Sequence, residues 1–282
     1  MDLTSPRVIK NLLKRYGVAP LKRLGQNFLI DEFVLRKIIE AAHLSPKDVV
    51  LEIGSGIGTL TQELAKRVKK VIAVEKDKKM IEILKETLKD FKNAEVIQDD
   101  ILKIKNLKLK IKNYRVVANL PYYIVSPVIR RFLESDRPPK EMILMVQKEV
   151  AQRICAKPPD MSILAVSVQF YAKPEILFYV SKNSFWPRPK VDGAVIKITP
   201  NSPLVFSTIV ENTSTKNLFF KIVRAGFSQP RKQIANNLSK VLKLDKEKIK
   251  YWLKRNNISY SQRAETLAIK DWLKLTKNWY KI

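Results

Sequence analysis

The sequence predicts an α/β fold in which a Rossmann-like, largely parallel sheet is followed by a small all-helical C-terminal domain. Over the first 200 residues, short β-branched runs alternate with longer amphipathic patterns, which is the βαβ rhythm of a parallel sheet. After Pro200 the chain changes to a Ser/Thr/Asn-rich stretch and then to basic amphipathic patterns without a further strand signal. We therefore expect two domains, residues 1–203 and residues 204–282.

The individual elements follow from these patterns. Residues 60–68 and 79–91 have apolar side chains at helical spacing and charged outer faces, which predicts two crossover helices. The last two predicted strands would complete a mixed sheet. The predicted strands are residues 49–53, 71–75, 94–98, 115–119, 142–147, 175–180 and 194–198.

The charge balance indicates a polyanionic partner. The chain has 54 Lys and Arg against 27 Asp and Glu, a net charge of +27. Nucleic acid is the leading candidate, because cations that neutralise phosphates release condensed counterions. A Lys-rich solubilising surface is the alternative, but such surfaces usually balance Lys with Glu. Residues 204–282 alone carry a net charge of +12 and are predicted to form the basic RNA-binding domain.

The composition also shows a second basic cluster, and it excludes several classes of site and location. Five lysines lie between residues 103 and 112, in the connection between the third and fourth predicted strands. We interpret this segment as a solvated loop rather than as an RNA contact. The only cysteine, Cys155, excludes an internal disulfide and a Cys-cluster metal site, and we expect no metal. The chain has a single histidine, His43, which lies just before a Ser-Pro turn signal and is interpreted as a helix-end residue, so we expect no His-based catalysis. No apolar run approaches the ~18 residues of a membrane span and no secretory signal is recognised, so a cytoplasmic location is expected.

A glycine-rich turn follows the first predicted strand. Residues 49–61 read VVLEIGSGIGTLT, so a buried strand passes through Gly54 and Gly56 into a helix. Such a turn lets the backbone approach a ligand closely. A dinucleotide fingerprint would place its third glycine at position 59, which is Thr59 here, and the NAD interpretation is weakened accordingly. A purely structural turn remains an alternative.

Acidic residues follow the next two strands. Glu75 ends the second strand, at a position where a carboxylate can accept hydrogen bonds from ribose hydroxyls. Asp100 follows the third strand and could accept a hydrogen bond from an adenine amino group. Because these groups and the glycine turn converge on one crevice, they favour S-adenosylmethionine as the cofactor.

The tetrapeptide Asn119-Leu120-Pro121-Tyr122 ends the fourth strand at the same edge of the sheet. Its chemistry suits methylation of an exocyclic adenine amine, whose lone pair is delocalised until acceptors hold its protons. The Asn119 side chain and the Leu120 carbonyl could be those acceptors, with Pro121 restraining Leu120 to an extended conformation. Tyr122 could stack on the base. The alternative is an ordinary Asn-x-Pro turn at a strand end.

Five blocks in order make the chain resemble the KsgA family of ribosomal RNA small-subunit adenine N6,N6-dimethyltransferases over nearly its whole length. They are residues 24–31 (LGQNFLID), the glycine turn, 119–122 (NLPY), 185–192 (FWPRPKVD), and 225–232 (AGFSQPRK) taken together with 263–265 (RAE).

The resemblance implies the fold of an S-adenosylmethionine-dependent methyltransferase and assigns further residues. Asn27 and Leu29 would close over the cofactor beside Gly54, Gly56, Glu75, Asp100 and Asn119. Asn119 and Tyr122 would hold the target base, with Phe185 against its other face; without the resemblance, Phe185 would be interpreted as a core residue. The expected product is N6-dimethyladenosine at two adjacent adenosines in a hairpin loop near the 3′ end of 16S rRNA. The expected partners are that RNA and the assembling 30S subunit, bound by a monomer.

The sequence departs from the family pattern at four places, none of which removes a proposed catalytic group. These are Ser55 for a common Pro, Tyr123 for a common Asn, Arg188 within a Pro-rich run, and Gly193 for a common Ser. Two rival functions remain. A large-subunit rRNA adenine methyltransferase of the antibiotic-resistance type shares most motifs, but the FWPRPKVD block and Leu120 favour the KsgA family. A non-catalytic assembly or transcription factor is disfavoured by the intact acceptor residues.

Overall fold

The computed structural model describes residues 1–21, 24–104, 113–201 and 213–279. The predicted domain boundary at residues 203 and 204 therefore lies outside the described residues, as do all but Lys103 of the predicted lysine cluster. The chain divides into two compact units. The first comprises Met1–Ala151 with Glu175–Pro200, and the second comprises Gln152–Pro174 with Asn201–Ile282.

A seven-stranded sheet forms the first unit's centre, and every predicted strand is present in it. The strand order is β4-β3-β2-β5-β6-β9-β7. Strands β2 to β6 pair in parallel, and β9 runs antiparallel to β6, which confirms the predicted mixed sheet. The bounds are β2 Val49–Ile53, β3 Lys70–Glu75, β4 Ala94–Gln98, β5 Tyr114–Asn119, β6 Met142–Gln147, β7 Ala172–Val180 and β9 Gly193–Pro200.

Helices cover the sheet, and the two predicted crossover helices are among them. α3 and α4 begin where the sequence predicts them and end a few residues earlier. The Asp77 side chain caps α4 by accepting the N–H of Lys79 at 3.0 Å, which satisfies one free donor of the first turn. The bounds are α1 Pro6–Arg15, α2 Glu32–Ala41, α3 Thr59–Ala65, α4 Lys78–Thr87, α5 Val125–Leu133 and α6 Lys148–Ile154.

A two-stranded ribbon joins distant parts of the first unit. β1 (Phe28–Leu29) pairs antiparallel with β8 (Phe185–Trp186), so Leu29 lies opposite Phe185. The hydroxyl of Ser184 donates to Asp31 at 2.8 Å and extends this contact. Two-residue strands have no measurable periodicity, which explains why the sequence patterns predict neither strand.

The second unit is helical apart from the first residues of β7, within the part of the chain that the structure describes. Its core contains Phe219, Trp252 and Trp272, each at most 1% exposed. Phe170 of α7 packs on Phe219 with ring centroids 4.3 Å apart, which explains why residues 152–174 group with the C-terminal helices. The bounds are α7 Ile163–Tyr171, α8 Thr213–Gly226, α9 Ile234–Leu242, α10 Lys246–Arg255 and α11 Ile269–Lys277. Among the described residues, no helix has both the length and the apolar character required to cross a membrane.

Candidate active site

The glycine turn connects β2 to α3, and its backbone conformation favours glycine at two positions. Gly54 and Gly56 have φ angles of +73° and +58°, in the left-handed region that residues with a Cβ rarely adopt. A Cβ at Gly54 would lie 3.4 Å from Pro121 Cδ, and one at Gly56 would lie 3.4 Å from Phe28 Cε1. The turn therefore packs closely against both the Asn119–Tyr122 segment and β1.

Glu75, at the end of β3, holds this turn in place. Its carboxylate accepts the N–H of Gly56 at 2.9 Å and those of Lys76 and Asp77 at 2.7 and 2.8 Å. Burial raises the pKa of the Glu75 carboxyl, although the three N–H donors act in the opposite direction. A carboxylate offers about four acceptor positions, so three backbone donors leave room for a ligand hydroxyl.

Asp100 follows β4 and is kept ionised by its neighbours. Its carboxylate accepts Lys76 Nζ at 2.9 Å and the N–H of Leu102 at 3.0 Å. Burial alone would raise the pKa of Asp100, but the hydrogen bonds from Lys76 and Leu102 lower it below its usual value. Asp100 is therefore an acceptor beside the glycine turn.

Asn119 connects the end of β5 to the N-terminal segment. Its side-chain amide Nδ2 donates to the carbonyl of Asn27 at 3.3 Å, while Asn27 Nδ2 donates to the carbonyl of Gly25 at 3.1 Å. Within the described part of the chain, no group donates to Asn119 Oδ1. This oxygen is therefore free to accept a hydrogen bond from a ligand.

All seven residues predicted to bind the cofactor line one cavity of about 140 Å³. Its wall includes the backbone of the glycine turn and the carboxylates of two successive strand ends. Hydroxyl and amino groups of an adenosine-bearing ligand would find acceptors there, so the residues present fit S-adenosylmethionine. The seven are Asn27, Leu29, Gly54, Gly56, Glu75, Asp100 and Asn119.

The structure adds Glu52 to this wall, a residue that the sequence interpretation missed. Glu52 is 2% exposed and accepts the Thr61 hydroxyl at 2.5 Å. Burial raises the pKa of Glu52 to about 7. The signal was present in the sequence, because Glu52 is a charged residue in the middle of a strand that is otherwise wholly apolar.

The residues predicted to hold the base differ in their access to the cavity. Asn119 lines it, whereas Leu120, Tyr122 and Phe185 do not. Leu120 is 1% exposed and its N–H donates to Met145 O at 3.1 Å. Tyr122 is half-buried, and burial together with the charges of nearby acidic groups raises the pKa of its hydroxyl. Phe185 is 4% exposed and belongs to the core cluster that also contains Leu29.

A parallel sheet with a glycine turn after its first central strand, and with acceptors at the ends of the next strands, defines the class of Rossmann-like S-adenosylmethionine-dependent methyltransferases. Sequence comparison then identifies the family. The ribosomal RNA adenine dimethylase family matches residues 21–280, and the chain belongs to that family. The predicted enzyme class, an rRNA adenine dimethyltransferase, is thereby confirmed.

Individual relatives agree with this assignment. The chain is 44% identical to a ribosomal RNA small subunit methyltransferase A of Dehalococcoides mccartyi strain BAV1, over 94% of this chain and 90% of the relative. It is 41% identical to a protein of the same name from Alkaliphilus metalliredigens, over 98% and 97% of the two chains.

Two solved structures resemble the fold to nearly the same degree. A dimethyladenosine transferase from Plasmodium falciparum has a TM-score of 0.74 at 28% identity, covering 89% of this chain and 96% of that one. The 23S rRNA methyltransferase ErmE has a TM-score of 0.72 at 26% identity, covering 89% and 98%. The fold alone therefore does not separate the small-subunit function from its large-subunit rival.

Proposed function

We propose that the protein transfers methyl groups from S-adenosylmethionine to the N6 amino groups of two adjacent adenosines in a hairpin loop near the 3′ end of 16S rRNA. The observation that carries this proposal is the position of Asn119. It lies at the end of β5 with a free Oδ1 and lines the same cavity as Gly54, Glu75 and Asp100. An amine acceptor and a fitting cofactor cavity thus occur side by side.

The cofactor would be held by residues on four elements. Glu75 would accept from its ribose hydroxyls, Asp100 from its adenine amino group, and Gly54 and Gly56 would allow close backbone approach. Asn27 and Leu29 would close over it from the N-terminal segment. When bound, the cofactor supplies an electrophilic methyl group on a positively charged sulfur.

The base would be held by the Asn119–Tyr122 segment. Asn119 Oδ1 and the Leu120 carbonyl would accept hydrogen bonds from the N6–H groups, which favours a tetrahedral nitrogen with an available lone pair. Pro121 has φ −56° and ψ 132° and begins a short 3₁₀ turn, which fixes the chain direction immediately after Leu120. Tyr122 would stack on the base, and Phe185 on its other face remains a prediction from the resemblance. Once methylated, the nitrogen would release its extra proton to water without a dedicated base, so positioning is expected to supply most of the rate enhancement.

The substrate would be an unpaired loop. An adenine amine within a stacked helix is out of reach of a side chain, so the base must leave its stack. The remaining parts of the proposal are that residues 204–282 bind RNA, that the protein acts as a monomer on assembling 30S subunits, and that it does so in the cytoplasm. The net charge of +27 supports an RNA partner.

Mass spectrometry of ribosomal RNA tests the function directly. The protein is incubated with S-adenosylmethionine and either unmethylated small subunits or large subunits, and the RNA is digested and analysed. We expect a mass gain of two methyl groups on each of two adjacent adenosines of the small-subunit RNA. Methylation of large-subunit RNA alone would instead establish the function of the ErmE type, which the similar TM-scores leave as the second candidate.

A further inference from the structure

Asp100, the proposed acceptor for the adenine amino group of the cofactor, begins a tight turn of residues 100–104. The N–H groups of Lys103 and Ile104 donate to its backbone carbonyl at 2.7 and 3.1 Å. The N–H of Leu102 donates to its carboxylate Oδ1 at 3.0 Å. The conformation of this turn therefore determines where the Asp100 carboxylate lies.

The turn is also part of the cavity wall. Asp100, Ile101 and Leu102 all line the cavity, and the Ile101 side chain is buried. Lys76 Nζ donates to Asp100 Oδ2 at 2.9 Å, but its side chain is 54% exposed. An exposed ammonium on a flexible stem orients a carboxylate only weakly. The backbone of Leu102 is therefore the firmer support for the Asp100 carboxylate.

Arg131 of α5 holds the other side of this turn. Its Nη1 donates to the carbonyl of Leu102 at 3.0 Å, and its Nη2 donates to the carbonyl of Ile104. A planar guanidinium presents these donors in a fixed geometry, so both carbonyls are fixed relative to α5. Leu102 is thus held at both of its backbone polar groups, with its N–H on Asp100 and its carbonyl on Arg131.

The guanidinium of Arg131 lies where its charge needs these contacts. Its Nε is buried and has no hydrogen-bond partner among the described residues. A desolvated charge is costly unless it is hydrogen-bonded, so the two carbonyls of the turn compensate for its burial. Arg131 does not itself line the cavity. It can therefore act on a ligand there only through the turn.

The place of Arg131 in α5 connects the two ends of the candidate site. α5 begins at Val125, directly after the short 3₁₀ turn Tyr122–Ile124. Because the helix is a regular hydrogen-bonded element, it relates the position of Arg131 to that of the chain before it. The turn of residues 100–104 is thereby held relative to the segment that carries Asn119.

We propose that Arg131 is a positioning residue for recognition of the adenine base of the cofactor. It holds the turn of residues 100–104 so that the Asp100 carboxylate faces the exocyclic amino group. Hypoxanthine has an oxygen in place of that amino group and would present lone pairs to the carboxylate, so the protein discriminates against it. The inference rests on the proposed role of Asp100 and adds the residue that keeps this acceptor in place.

Calorimetric titration with two ligands tests the inference in the full-length protein, without RNA. The ligands are S-adenosylhomocysteine and S-inosylhomocysteine, which differ in the amino group of the base. The wild-type protein should bind the adenine ligand roughly tenfold more tightly or better, since a lost hydrogen bond to a charged group corresponds to an affinity change of that order. The readout is the ratio of the two affinities, which a general loss of stability in a folded variant does not change.

Variants of two neighbouring arginines separate the position of Arg131 from its charge. Arg131→Met keeps the apolar stem but removes both donors, and the ratio should fall to about threefold or less. Arg131→Lys keeps the charge without the planar fork and should give an intermediate ratio. Arg130→Met removes the same charge from the same helix. The Arg130 side chain is 76% exposed and pairs with Glu134, so the ratio should stay within about twofold of wild type.

Melting curves first establish that each variant is folded. An unchanged ratio in folded Arg131→Met, or an equal fall in Arg130→Met, overturns the inference. If Arg131→Met does not fold, a wild-type ratio in Arg131→Lys overturns it instead. A wild-type protein that binds both ligands equally would remove Asp100 as the acceptor and the inference with it. A negative mass-spectrometric result leaves these titrations unaffected, so the two proposals fail in distinguishable ways.

Discussion

The residues proposed to hold the cofactor and those proposed to hold the base both come from strand ends of the seven-stranded sheet and from the β1–β8 ribbon or the segment before it, but they differ in their access to the cavity. All seven cofactor residues line the cavity, whereas only Asn119 of the base-holding residues does so. Leu120 and Phe185 are at most 4% exposed. The order of the strands is enough to bring the glycine turn, Glu75 and Asp100 together. The role of an apolar side chain such as Phe185 depends instead on how it packs, which the strand order does not determine.

Asn119→Ala should break this arrangement most severely, because Asn119 belongs to both groups. We expect methyl transfer to be abolished, with a loss of at least the 10²–10³-fold that is typical of removing one preorganised hydrogen-bonding group. Cofactor affinity should stay within a few-fold, since the Asn119 amide donates to the backbone of Asn27 rather than holding the glycine turn.

Single-turnover methylation and calorimetric titration of the cofactor, on the same preparation, measure the two quantities separately. Near wild-type turnover would remove Asn119 from the mechanism. A large loss of cofactor affinity would instead mean that Asn119 acts in binding the cofactor rather than in holding the base.

Phe185→Ala tests whether this residue holds the base or only fills the core. Phe185 lies in a core cluster, and truncation of such an aromatic costs about 3–5 kcal/mol of folding stability. Stacking on a base is worth on the order of 1–3 kcal/mol. We therefore expect a strongly lowered melting temperature, and a kinetic defect only if the side chain also reaches the base.

Phe132→Ala is the matched control, because Phe132 is fully buried in the same unit and does not line the cavity. Both variants should lose similar stability. Methylation is then compared at a temperature where both remain folded. A Phe185 variant that methylates as fast as the Phe132 variant would reject the stacking role.

Periodicity and strand order made much of the fold, and the gathering of the predicted cofactor residues around one cavity, predictable from the sequence. The seven strands, the glycine turn and the acceptors Glu75 and Asp100 are all indicated by repeating patterns and by their places at strand ends. The pairing of Leu29 with Phe185 could not be predicted, because it joins segments about 150 residues apart through two-residue strands. The burial of Phe185, by contrast, agrees with the core interpretation that its residue type suggests without the family resemblance.

Glu52→Gln tests the most buried carboxyl group among the residues that line the cavity. Because burial raises the pKa of Glu52 from 4.5 to about 7, the folded protein binds a proton between these values that the unfolded chain has released. Stability should therefore fall as pH rises from about 4.5 to 7, by roughly 3 kcal/mol from this group. Glu75, whose pKa is also raised, acts in the same direction and remains in the variant.

Melting curves at pH 5 and pH 8 check this expectation. The wild-type protein should lose more stability between the two values than Glu52→Gln does, and the variant should be the more stable one at pH 8. Parallel pH profiles for the two proteins would show that Glu52 is ionised throughout and that its charge is compensated within the fold.

The smallest expected effect concerns RNA binding by the second unit. Deleting residues 204–282 would uncover Phe170, which packs on Phe219, so point substitutions are the cleaner test. Arg231 and Lys232 are exposed after α8, and a double substitution by Gln should reduce the slope of log affinity against log salt by roughly 0.7 for each phosphate that is no longer neutralised. Lys89→Gln with Lys92→Gln removes the same charge from an exposed turn of the first unit and should leave the slope unchanged. Equal slopes for the two double variants would mean that RNA affinity depends only on the net charge of the protein. The basic helical segment would then not be a distinct RNA-binding domain.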